Sequence, residues 1–114
     1  MDWYRAQVRG YHKKNLTIAY LNVNSIYGKA DEVLSLLETC QFDVLFIAET
    51  KIDGTYSDSL LAHPSYWIIG QDRKKGGGGI LAYVRTNLTM YRRKSFEPER
   101  VESICLDIKG YGNA

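Results

Sequence analysis

The chain has 114 residues, 45% hydrophobic, 25% charged and 12% aromatic, with a formal net charge of +2. That composition and length describe one globular domain and exclude a disordered polyelectrolyte. They also exclude a transmembrane helix: unbroken aliphatic-aromatic runs are no longer than Val44–Ala48, against the roughly 18 residues a span needs. Met1–Gly10 is aromatic and basic with no apolar centre. No secretory signal is read there, and an intracellular, non-secreted chain is expected.

Charge is unevenly spread. Residues 1–14 carry four basic side chains against one acid, residues 29–58 carry two against seven, and residues 72–94 carry seven against one. Basic segments around an acidic middle suit a polyanion held beside a metal-binding pocket; two solvated faces give the same pattern. Cys40 and Cys105 lie far apart and form no metal-ligand or disulfide framework, so both are read as buried thiols. His12 and His63 are isolated, and each is read as a solvated or locally bonded histidine.

Residues 1–15 read as a polar, basic leader, residues 16–108 as the domain, and residues 109–114 as a short tail. Leu16–Asn22 is β-branched and apolar and predicts a strand, broken by the turn formers Asn22-Val23-Asn24-Ser25. Lys29–Cys40 predicts a helix, because Val33, Leu36, Leu37 and Cys40 recur at i, i+3, i+4 and i+7. Asp31 and Glu32 lie near its N-terminus, where the helix dipole favours negative charge. Asp43–Glu49 is a continuous apolar run and predicts a strand buried on both faces.

Strand, helix and strand in this order predict a parallel pair with a right-handed crossover. Both strands then end on one edge of the sheet, so Asn22 and Glu49 should share the rim where open α/β sheets place ligands. A polar loop follows, with a turn at Asp53-Gly54 and a helical turn over Ser57–Ala62. Tyr66–Gly70 and Gly79–Arg85 predict strands joined by a basic, glycine-rich connection that serves as a hairpin turn. Val101–Ile108 alternates and predicts a further strand.

Leu21-Asn22-Val23-Asn24-Ser25-Ile26, an amphipathic helix, Phe46-Ile47-Ala48-Glu49-Thr50-Lys51, Gly77-Gly78-Gly79-Ile80-Leu81-Ala82-Tyr83-Val84-Arg85 and Val101-Glu102-Ser103-Ile104 follow one another in the chain. This order resembles the N-terminal half of the endonuclease/exonuclease/phosphatase superfamily. It is most like the apurinic-type endonuclease domain of non-long-terminal-repeat retrotransposons. The resemblance implies an α/β fold, the N-terminal half of a two-sheet sandwich, and a magnesium-dependent hydrolase that cuts DNA phosphodiester bonds. It implies that Asn22 orients the scissile phosphate, that Glu49 binds Mg2+, and that Asn24 lies near the metal. Arg73, Lys74 and Lys75 fall in a loop suited to the nucleic-acid backbone, or to plain solvation. The implied partner is DNA and the nucleus is an implied compartment.

The family's later elements, a Tyr-containing strand, an Asp-x-Asn loop and an Asp-His pair, are not found in these 114 residues. His12 and His63 do not replace them by motif. General base catalysis contributes about 10²–10⁴-fold, so the chain alone is expected to have little or no nuclease activity. A non-catalytic nucleic-acid-binding or interaction module on the same half-fold is the alternative, and a degenerate gene product a third reading. Half a sandwich should also leave one apolar sheet face uncovered, with Val44, Phe46, Leu81 and Tyr83 as candidates. A complementary C-terminal half or self-association is expected to cover it.

Overall fold

The structure, a computed structural model, describes residues 2–9, 15–52, 58–71, 78–98 and 103–109. The strands are β1 (Asp2–Arg9), β2 (Asn15–Asn22), β3 (Val44–Ala48), β4 (Tyr66–Gln71), β5 (Ile80–Arg85), β6 (Thr89–Arg92) and β7 (Leu106–Lys109). One helix, α1 (Ala30–Cys40), joins β2 to β3. The first five strands form a sheet in the order β1-β2-β3-β5-β4, and β6 and β7 form a second, two-stranded sheet.

The strand–helix–strand expectation holds. β2 and β3 are parallel, with Asn22 in register with Ala48. β5 lies antiparallel to β3 and pairs its first residue, Ile80, with Ala48. The C-terminal ends of β2 and β3 and the N-terminal end of β5 therefore meet at one rim. β4 runs antiparallel to β5 and ends there too, with Gln71 paired to Ile80.

Helix α1 forms where its apolar stripe was expected, and buries Val33 and Leu37. They pack on Ala19, Leu21, Leu45, Ile47, Leu81 and Tyr83, the side chains that β2, β3 and β5 direct to one sheet face. At the helix C-terminus Gln41 takes a left-handed conformation (φ 52°), and its N–H donates to the Leu37 carbonyl at 3.0 Å. The opposite end of the sheet is pinned by Asp43. Its carboxylate accepts the Thr17 N–H at 2.7 Å and pairs with Arg85 at 3.7 Å. Two tyrosines close the same end: Tyr66 donates to the Phe42 carbonyl at 2.5 Å and Tyr83 to the Leu61 carbonyl at 2.6 Å.

On the other sheet face Leu16, Val44, Val84 and Leu88 are buried under Met90, Leu106 and Ile108 of the small sheet. That cover is partial. Tyr20 remains 39% exposed, and Tyr20, Phe46, Ala48, Ile80 and Ile104 line an apolar groove.

Several expectations are corrected. Residues 2–9, read as a leader, form β1 and pair along their whole length with β2. Antiparallel register aligns Leu81 with Ile47 and Tyr83 with Leu45, so Leu81 and Tyr83 lie under the helix and not on the face of Val44 and Phe46. Val44, Leu81 and Tyr83 are buried, and of the four candidates for an uncovered face only Phe46 is partly exposed. The strand expected over Val101–Ile108 is Leu106–Lys109, with Ser103–Cys105 outside it and Val101 and Glu102 outside the described residues, and no pattern in the sequence predicts β6. β3 is buried at Val44, Leu45 and Ile47 but half-buried at Phe46 and Ala48. Cys40 and Cys105 are free thiols and half-buried, not buried. The turn at Asp53-Gly54 lies outside the described residues, while the helical turn near residue 60 is present as a 3-10 turn, Asp58–Leu61.

Candidate active site

The rim is built from three stretches that leave the strand ends and stay hydrogen-bonded. After β2 and β3 the parallel pairing runs on: Val23 N–H donates to the Ala48 carbonyl at 3.2 Å, Ser25 to Glu49 at 2.7 Å and Ile26 to Thr50 at 2.9 Å. On the other side Thr50 N–H donates to the Gly79 carbonyl at 3.3 Å and Lys51 to Gly78 at 2.5 Å. Asn24, Ser25, Glu49 and Lys51 all have positive φ, at 46°, 85°, 59° and 56°. Left-handed backbone is uncommon for residues other than glycine, and a group of such residues is typical of a site whose surroundings hold it in shape.

Asn22 and Glu49 thus lie on the same rim, as the crossover required. The Asn22 Oδ1 accepts the Asn24 N–H at 3.0 Å in an Asx turn. A backbone N–H only donates, so this bond fixes which end of the amide is oxygen. The Nδ2 group keeps its two N–H donors, and among the described residues nothing accepts from it. Glu49 is exposed, and no described residue hydrogen-bonds or ion-pairs its carboxylate. Lys51, one possible ion-pair partner, turns instead to the Asn24 Oδ1 at 2.8 Å. Lys29 donates to the Val23 carbonyl at 2.6 Å and to the Asn24 carbonyl at 3.3 Å. Two ammonium groups therefore fix Asn24, one at its side chain and one at its backbone.

The sequence model of the Endonuclease/Exonuclease/phosphatase family matches residues 19–114, most of the chain and all of this rim. The chain belongs to that family. Among solved structures it is similar to the crystal structure of AP endonuclease LMAP from Leishmania major, with a TM-score of 0.54 and 19% sequence identity. The match covers 74% of this chain and 30% of that one, and at this identity it carries the fold alone. No curated protein sequence matches the chain.

The donor set of this family member suits a hard, hydrated cation. No group of three or more His, Cys, Asp or Glu side chains forms a metal cage among the described residues. Zinc asks for such a cage; Mg2+ takes one or two carboxylates and completes its shell with water and phosphate oxygens. Among the described residues, the Glu49 carboxylate, without a hydrogen-bond or ion-pair partner there, is the side chain at this rim that could serve as such a carboxylate.

The other sequence candidates fall elsewhere. Arg73, Lys74 and Lys75 lie outside the described residues, as does His12. Gln71 and Gly78, the described residues that flank Arg73–Lys75 in sequence, are both at the rim. His63 stands at the far end of the sheet, with Nε2 2.6 Å from a Glu38 oxygen and Nδ1 accepting the Ser65 N–H at 3.1 Å. It is a locally bonded histidine, as read. Lys29 and Lys51 were not singled out in the sequence. Lys51 carried one legible signal, its place two residues beyond Glu49 on the loop that leaves the rim. No helix among the described residues is long and apolar enough to cross a membrane.

Proposed function

We propose that the chain forms the phosphate- and metal-facing part of a DNA endonuclease domain of the kind carried by non-long-terminal-repeat retrotransposons. In this reading Glu49 holds Mg2+, and Asn22 donates its Nδ2–H to an oxygen of the scissile phosphate. Asn24 lines the metal side, and Arg73, Lys74 and Lys75 contact the backbone of the nucleic acid. Mg2+, when bound, supplies charge stabilisation at the phosphoryl oxygens and the leaving alkoxide. The residues of this chain do the positioning. The Asx turn aims the Asn22 amide, and the clamp of Lys29 and Lys51 keeps the Asn22–Asn24 loop in place beside Glu49. The single observation that supports the reading is that the Asn22 amide and the Glu49 carboxylate, with neither the Nδ2 group nor the carboxylate partnered among the described residues, stand at adjacent parallel strand ends on one rim.

The described residues bring no histidine to this rim, since His63 is bonded to Glu38 at the other end of the sheet. The 114-residue chain by itself is therefore expected to bind duplex DNA with help from Mg2+ and to cut it little or not at all. The test is fluorescence anisotropy on labelled duplex DNA, with and without Mg2+, alongside a plasmid-nicking assay. The expected result is Mg2+-enhanced binding that Glu49→Gln and Asn22→Ala both weaken, without appreciable nicking. Binding indifferent to Mg2+ and to both substitutions overturns the proposal in favour of a module that uses other residues. Nicking that Glu49→Gln abolishes overturns the inactivity of the isolated chain.

A further inference from the structure

Gly78 approaches the rim from the β5 side, and its carbonyl is held by the Lys51 N–H at 2.5 Å. Glu49 folds its side chain back across this glycine. A methyl group built on Gly78 would overlap the whole Glu49 carboxyl group, with its carbon at 2.5 Å and Oε1 at 2.8 Å. Contacts between a Cβ and another heavy atom are normally well above 3 Å. The carboxylate thus fills the volume that any other residue's side chain would take at position 78.

The Glu49 backbone has little freedom to choose another approach. Its φ of 59° is left-handed, and its carbonyl is engaged by Ser25 N–H at 2.7 Å. Gly78 itself lacks a positive φ, so its conformation does not demand glycine. What demands glycine is the neighbouring acid. The colliding atoms belong to the free end of a flexible side chain, so an added methyl displaces the carboxylate and leaves the strands paired.

We propose that Gly78 is a positioning residue: the missing side chain at position 78 is the seat that sets where the Glu49 carboxylate stands on the rim. Its consequence for metal binding rests on the reading of Glu49 as the Mg2+ ligand. The seat itself rests on the packing of residues 49 and 78 alone.

The experiment uses the 114-residue chain with Mn2+ as the probe, its binding followed by water-proton relaxation, together with the 13C chemical shift of the Glu49 carboxyl group, assigned through Glu49→Gln. Gly78→Ala should shift that resonance and weaken Mn2+ binding by tenfold or more, with an unchanged thermal melting curve. Glu49→Asp shortens the acid by one methylene and makes room for the methyl. The double variant Gly78→Ala/Glu49→Asp should therefore bind Mn2+ more tightly than Gly78→Ala alone, a rescue that general loosening of the loop does not produce. A Glu49 resonance unmoved by Gly78→Ala overturns the seat. A resonance that moves while Glu49→Gln leaves Mn2+ binding intact supports the seat and overturns the metal reading instead.

Discussion

Lys51 and Asn24, twenty-seven residues apart, meet through a 2.8 Å hydrogen bond that ties the loop after β3 to the loop after β2. The contact is exposed, so its value for stability is small, about 1 kcal/mol or less. Its value for the site is larger, because it fixes an ammonium on the loop that follows Asn22. Lys51→Met should leave the denaturation midpoint nearly unchanged. In a salt titration of DNA binding it should reduce the slope of log K against log salt by about 1, the loss of roughly one phosphate-neutralising charge.

Asn22 has two duties that substitution separates. Its Oδ1 holds the Asx turn and its Nδ2 is free to donate. Asn22→Asp keeps the first and replaces the second with negative charge. The variant should keep its melting temperature within a few degrees, while DNA affinity falls more than in Asn22→Ala, which loses the donor without adding repulsion. Anisotropy and thermal denaturation on the two variants check this.

Tyr83 is wholly buried and donates to the Leu61 carbonyl at 2.6 Å. Tyr83→Phe removes that donor and leaves a buried acceptor unpaired, at a cost of about 1–3 kcal/mol. Urea denaturation should show the loss. The rim lies at the other end of the sheet, so metal and DNA binding of the folded variant should stay as in the parent chain.

The small sheet has an acid-sensitive clasp. Arg92 donates to both oxygens of Glu97, at 3.0 and 3.1 Å, and the Cys105 N–H donates to the same carboxylate at 3.0 Å. The Arg92 hydrogen bonds first, and the Cys105 N–H second, hold the Glu97 pKa below its ordinary value of 4.5. A lowered folded-state pKa stabilises the fold above the unfolded value and ceases to do so as pH falls through the folded one. Wild type should therefore exceed Glu97→Gln in urea midpoint near neutral pH, and the gap should close progressively below about pH 4.5.

Much of the large sheet was legible because its signals are local and agree with one another. The stripe at Val33, Leu36, Leu37 and Cys40 specifies α1, the apolar run at Val44–Ala48 specifies β3, and chain order then forces Asn22 and Glu49 to one rim. What escaped depends on pairing across the chain. Asp2–Arg9 mixes aromatic and basic residues without a long apolar run, and becomes a strand because β2 offers it an open edge. The four-residue β6 owes its existence to β7 and to the apolar underside of Met90. The face of Leu81 and Tyr83 follows from the antiparallel register with β3, which no single segment encodes. Lys29, Lys51 and Gly78 act on the rim through contacts between loops, and lysines or glycines in loops look alike until those loops meet.

The parallel register of Asn22 with Ala48 makes the rim unequally tolerant of changes in chain length. The connection between the two strands can gain or lose residues at its helix-to-strand turn while both ends keep their level on the sheet. Removing one residue inside β3 is different: it inverts the facing of every side chain beyond the deletion and puts Thr50 at the height of Glu49. Drift by insertion and deletion should therefore accumulate around the crossover and be purged from the two strands, so the interval between amide and acid is elastic in sequence yet rigid in space.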